Sequence, residues 1–99
     1  MSIQRDGGSV TVSVGARIDT YQAPQFAAEM EQAVAGATEL VLDFSKLTYI
    51  SSSGLRAVIL AVKAMDRQGI MRIVNVREPI YEILETTGFT GMCEVEQTR

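Results

Sequence analysis

Three serines and a glycine, Ser51-Ser52-Ser53-Gly54, stand where an apolar helical pattern begins, and their hydroxyls are the most chemically distinctive groups in the chain. A hydroxyl at a helix start has two uses. It caps, accepting a backbone N–H that the first turn leaves unpaired. Or it carries a group, since a phosphate there meets unpaired N–H groups and the positive end of the helix dipole. One serine suffices for the cap, which leaves two hydroxyls without a structural task, and spacing alone leaves both uses open. Nucleophilic catalysis lacks its base. The chain has no histidine, so a Ser-His or Cys-His pair and a histidine-ligated zinc are excluded. No lysine or aspartate stands at motif spacing from Ser52 to replace it, and the chain is not expected to be an enzyme.

The remaining polar groups have bland readings. Asp19, in Gly15-Ala16-Arg17-Ile18-Asp19-Thr20-Tyr21, and Asp43 are two carboxylates of unknown separation, too little for a metal site. Asp19 is expected to bond its own loop backbone and to lie beside the serine hydroxyl. Gly88-Phe89-Thr90-Gly91 lacks the lysine of a phosphate loop, and a helix C-cap followed by a turn accounts for it. No cofactor, metal or tight nucleotide site is expected. Cys93 has no basic neighbour to lower its pKa and no second cysteine to pair with; it is expected as a buried strand residue in a reducing compartment. Arg56, Lys63 and Arg67 fall along one helix face, expected to be solvated. Arg56 stands apart, because a cation near a helix N-terminus opposes the dipole. That makes it a candidate contact for an acidic group of a partner.

The elements that position these groups follow from periodicity. Val10, Val12 and Val14 alternate with Thr11 and Ser13 as a strand does. Met1 to Arg5 is expected as a short strand before it, turned back by Asp6-Gly7-Gly8. Gly15 to Gln22 reads as a loop. Pro24 opens a helix whose stripe is Phe26, Met30, Ala33 and Val34, ending near Gly36. Leu40 to Phe44 is a nearly continuous apolar run, expected to be a central strand covered on both faces. The serine segment opens a second helix with Leu55, Val58, Ile59, Val62 and Met65 buried, stopped by Gly69. Met71 to Val76 is another strand, Pro79 to Leu84 a third helix closed by Gly88, and Cys93 to Glu96 a last strand.

The sum is β-β-α-β-α-β-α-β: an α/β domain with a mostly parallel mixed sheet of about five strands and helices packed on it. In such sheets ligands and partners meet the loops at the carboxyl ends of the strands, so the Asp19 loop and the serine loop are expected to share one surface. Ninety-nine residues, 46% hydrophobic and 21% charged, suit a single core, with residues 1–99 as one domain. A net charge of −3 argues against nonspecific nucleic-acid binding. The first residues lack the apolar stretch of a signal peptide or membrane span, so a cytoplasmic domain without direct membrane binding is expected.

Tyr49-Ile50-Ser51-Ser52-Ser53-Gly54-Leu55-Arg56, preceded by Leu42-Asp43-Phe44-Ser45, resembles the signature of STAS domains, most nearly the bacterial anti-sigma factor antagonists. Gly15-Ala16-Arg17-Ile18-Asp19 is similar to that family's glycine-x-x-leucine-aspartate loop, with isoleucine for leucine. The resemblance implies a phosphorylation switch. The unphosphorylated antagonist binds an ATP-using serine kinase that doubles as the anti-sigma factor, and so releases the sigma factor. The kinase phosphorylates one serine, and a metal-dependent serine phosphatase reverses it. Laid on this chain, the acceptor is Ser52, and Asp19, Thr20, Ser51, Ser52, Ser53, Gly54, Leu55 and Arg56 form the partner surface. The family's acidic residue before the acceptor is replaced by Ser51, which admits Ser51 or Ser53 as alternative acceptors, or loss of the kinase. The C-terminal helix of many members is expected to be absent or very short. The alternative is a STAS docking subunit of a membrane lipid-transport assembly that needs no kinase.

Overall fold

The computed structural model describes residues 2–98. In chain order it contains β1 (Ser2–Asp6), β2 (Ser9–Ser13), β3 (Arg17–Ile18), α1 (Ala23–Val34), β4 (Glu39–Asp43), β5 (Tyr49–Ile50), α2 (Ser52–Asp66), β6 (Ile70–Val76), α3 (Glu78–Thr86), a 3₁₀ turn (Phe89–Gly91) and β7 (Glu94–Gln97). Five strands form one sheet in the order β1-β2-β4-β6-β7. β1 runs antiparallel to β2, and every other pair is parallel. The expected order of elements holds in the five-stranded sheet, while Arg17–Ile18 and Tyr49–Ile50, expected as loop, pair as a separate two-stranded parallel sheet. Met1 of the first expected strand lies outside the described residues. Gly7, at φ +63°, supplies the left-handed turn residue of the β1–β2 hairpin.

The sheet advances in one direction, β2 to β4 to β6 to β7, with a helix in each crossover. Crossovers of one hand that always step the same way place all their helices on one face. Burial agrees: Val10, Val12, Leu40, Leu42, Met71 and Ile73 are buried under the helices. Their neighbours Thr11, Val41, Arg72 and Val74 are only half-buried on the other face. The expectation that the central strand is covered on both faces is therefore corrected. Val41, an apolar residue on the open face, gives β4 the look of a doubly covered strand.

α2 is also turned from the expected orientation. Its buried side is Gly54, Ala57, Val58, Ala61, Val62 and Met65, while Leu55 and Ile59 are only partly buried. Ala57 and Ala61 are buried on the side of α2 that packs on α1, where they line a small cavity together with Met30. Leu55 and Ile59 are rotated to the flank. Phe89, which the sequence leaves in a turn, is fully buried.

Cys93 lies in the turn just before β7, half-buried, and not within the strand. Burial pushes its thiol above the usual range, which suppresses the reactive thiolate. Alkylation by iodoacetamide at pH 8 is expected to be several-fold slower in the native protein than in urea. Equal rates would contradict that environment.

Candidate functional site

Two loops that the sequence separates by about thirty residues are stitched together by a two-residue parallel ladder, Arg17 opposite Tyr49 and Ile18 opposite Ile50. The stitch continues on both sides. Thr48 N–H donates to the Ala16 carbonyl at 2.8 Å, and Ser51 N–H donates to the Ile18 carbonyl at 2.8 Å. Ile18 and Ile50 turn inward and are buried. The first turn of α2 rests directly on them. A Cβ on Gly54 would stand 2.8 Å from Ile18 Cγ2 and 2.9 Å from Ile50 Cγ1, so only glycine permits this approach.

The three serines have different positions. Ser51 is the N-cap: its backbone is extended, its Oγ accepts from Gly54 N–H at 3.1 Å, and it is 6% exposed. Ser52 and Ser53 are the first two residues of α2 and both are exposed. Among the described residues no side chain is hydrogen-bonded to either hydroxyl. No acidic residue lies in the first turn, and Arg56 follows one turn later, also exposed. With no base of this chain against them, these two exposed hydroxyls at a helix N-terminus could attack a phosphoryl donor only with a base supplied from outside, and are not set up as nucleophiles of a catalytic site within the chain.

Asp19 is committed to its own loop, as expected. Its Oδ1 accepts from the N–H groups of Tyr21 and Gln22, each at 3.0 Å, and its carbonyl accepts from Ala23 N–H at 2.9 Å, turning the chain into α1. Thr20 and Tyr21 are left at the tip, and Tyr21 is 94% exposed. Across the ladder the Arg17 guanidinium lies 4.6 Å from the centroid of the Tyr49 ring, itself partly exposed. This pair of exposed tyrosines was missed in the sequence. The signal was an aromatic residue in each of the two loops.

A family model described as the STAS domain matches residues 1–99. The chain belongs to the STAS domain family. It is 29% identical, over its whole length and 87% of the other, to BtrV of Bordetella bronchiseptica, whose name makes it a candidate anti-sigma factor antagonist. Its fold is similar to that of an anti-sigma factor antagonist from Mycobacterium paratuberculosis, with a TM-score of 0.87 at 23% identity, covering 98% of this chain and 84% of that one. It is also similar to the phosphorylated form of the Bacillus cell fate determinant SpoIIAA, with a TM-score of 0.76 at 15% identity, covering 95% and 88%.

In this STAS domain the second carboxylate braces the serine loop from below. Asp43 Oδ1 accepts from Ser45 N–H at 2.9 Å and from Asn75 Nδ2 at 3.2 Å. Arg77 Nε donates to the Ser45 carbonyl at 2.8 Å. Asn75 adopts φ +57°, a left-handed conformation that asparagine tolerates better than most residues, at an irregularity in the β6–β7 register. Burial pushes the Asp43 carboxyl up, but the hydrogen bonds from Ser45 and Asn75 and the charge of Lys46 outweigh it and hold it below its ordinary value. A carboxyl lowered on folding stabilises the fold above its unfolded pKa of about 4, and that contribution is lost as pH falls through the folded value. Acidification below about pH 4 is therefore expected to cost the wild type more stability than Asp43→Asn, followed by urea titration at each pH. Parallel losses would remove the brace.

Proposed function

We propose that this STAS domain, residues 1–99 acting as one unit, is a phosphorylation-switched anti-sigma factor antagonist of the cytoplasm, a binding module and not a catalyst. Unphosphorylated, it docks on an ATP-using serine kinase that is also the anti-sigma factor, and the sigma factor is released. The kinase modifies Ser52, and a serine phosphatase restores the binding form. One observation carries this reading: Ser51 is consumed as the buried cap, which leaves exposed hydroxyls at the start of a fifteen-residue helix. The relation to BtrV along the whole chain supports the class of function. Ser52, with Ser53 as its exposed neighbour, is the acceptor by the family resemblance.

The docking surface is the stitched pair of loops and the start of α2: Asp19, Thr20, Ser52, Ser53, Leu55 and Arg56. Tyr21 and Tyr49 add rigid, amphipathic area of the kind that anchors interfaces. Ser51 and Gly54, both buried, hold this surface in shape and do not contact the partner. A phosphate adds about −1.5 to −2 charges to it. That charge must be desolvated or repelled when the partner docks, at a cost on the order of 1–3 kcal/mol.

Calorimetry with the purified kinase tests the reading. The unmodified domain is expected to bind, and the domain pre-treated with kinase and ATP to bind at least several-fold more weakly. Absence of binding by the unmodified domain would remove the antagonist function and favour the transport-subunit alternative.

A further inference from the structure

The cations of this chain are unevenly committed. Arg5 donates to the Ala35 and Gln32 carbonyls, Arg72 pairs with Glu94 and Glu96, Arg77 holds Ser45, and Arg17 covers Tyr49. Among the described residues, Arg56, Lys63 and Arg67 make no side-chain hydrogen bond or ion pair, and all three are exposed on α2 or at its C-cap. No acidic residue occurs in α2 before its last residue, Asp66. A chain of net charge −3 thus carries a cationic strip on one helix.

That strip edges an apolar groove. Leu55, Ile59 and Leu60 line it on α2, Thr87 and Phe89 close it from the turn after α3, Arg56 and Lys63 stand at its border, and Ser52 lies at its end. Leu60 is 58% exposed, a large apolar side chain left in water. The rotation of α2 that withdraws Leu55 and Ile59 from the core is what opens this face.

We propose that this groove seats an apolar segment of the partner protein flanked by aspartate or glutamate side chains. The charge of the rim selects the occupant: apolar residues enter the groove and carboxylates meet Arg56 and Lys63. This deepens the switch, and rests on the antagonist reading only in taking Ser52 as the acceptor. Arg56 is four residues beyond Ser52, on the same helix face. A phosphate on Ser52 competes for Arg56 and repels the incoming carboxylates at the groove's end, so it acts on the partner's charge and needs no change of fold.

The test needs no kinase. Two 18-residue amphipathic helical peptides share a leucine face, one with glutamate and one with lysine on the polar face. Each is titrated into the full-length domain and followed by amide NMR shifts. The acidic peptide is expected to shift Leu55, Ile59, Leu60 and Lys63 saturably, to weaken about tenfold in Arg56→Glu/Lys63→Glu, and to weaken as salt rises. Ser52→Asp is expected to weaken it several-fold, and the lysine peptide is expected to prefer the charge-reversed variant. Equal affinity for both peptides, no shift on α2, or α2 shifts that follow protein concentration without peptide (a second copy in the groove) would each overturn the proposal. Failure to bind the kinase, with the peptide result intact, would instead overturn the antagonist reading.

Discussion

Leu42→Ala is expected to lower the unfolding free energy by about 2–5 kcal/mol. Leu42 is fully buried at the centre of the sheet, in register with Val12 on one side and Ile73 on the other. Its site is held by strands on both sides and helices above, so the cavity has little room to collapse. A domain of this size is stable by about 5–15 kcal/mol in total, and urea denaturation with an unchanged slope reads the loss directly. Ile59→Ala is the companion. Its pattern in the sequence matches that of a core residue, yet it lies on the flank of α2, so its loss is expected near 1 kcal/mol. Losses below about half a kilocalorie at Leu42 would contradict the assigned sheet face.

Ser52→Asp is expected to weaken kinase binding by about tenfold, less than phosphorylation does, because it adds about one charge where phosphoserine adds about −1.5 to −2. Ser52→Ala adds no charge, and its binding is expected to persist and to resist the kinase. The neighbouring serines separate structure from regulation. Ser51→Ala removes the N-cap hydrogen bond to Gly54 and is expected to cost about 0.5–2 kcal/mol of stability, while phosphorylation continues on the folded fraction. Ser53→Ala is expected to change neither stability nor modification. Binding by Ser52→Asp equal to that of wild type would remove the charge mechanism.

The order of elements was legible because each has a signal of its own: alternation in β2, Pro24 at the start of α1 and a left-handed Gly88 after α3. The joint surface of the two loops was legible from sheet topology. Its stitch was not, since β3 and β5 are two residues each and carry no period. Which serine caps was also hidden: all three are equally good caps in composition, and only the Ser51 position brings its Oγ to the Gly54 N–H. The facing of α2 was misread because alanines count weakly in a hydrophobic pattern. Ala57 and Ala61 nevertheless decide which side meets α1. The same error hid the groove, because residues assigned to the core were not available as surface.

Phosphopeptide mapping after incubation with the purified kinase and ATP, on wild type, Ser52→Ala and Ser53→Ala, bears most directly on the switch. Phosphate is expected on Ser52 in wild type and in Ser53→Ala, and none on the domain in Ser52→Ala. Phosphate on Ser51, whose hydroxyl is buried as the helix cap, or no modification of any serine, would contradict it.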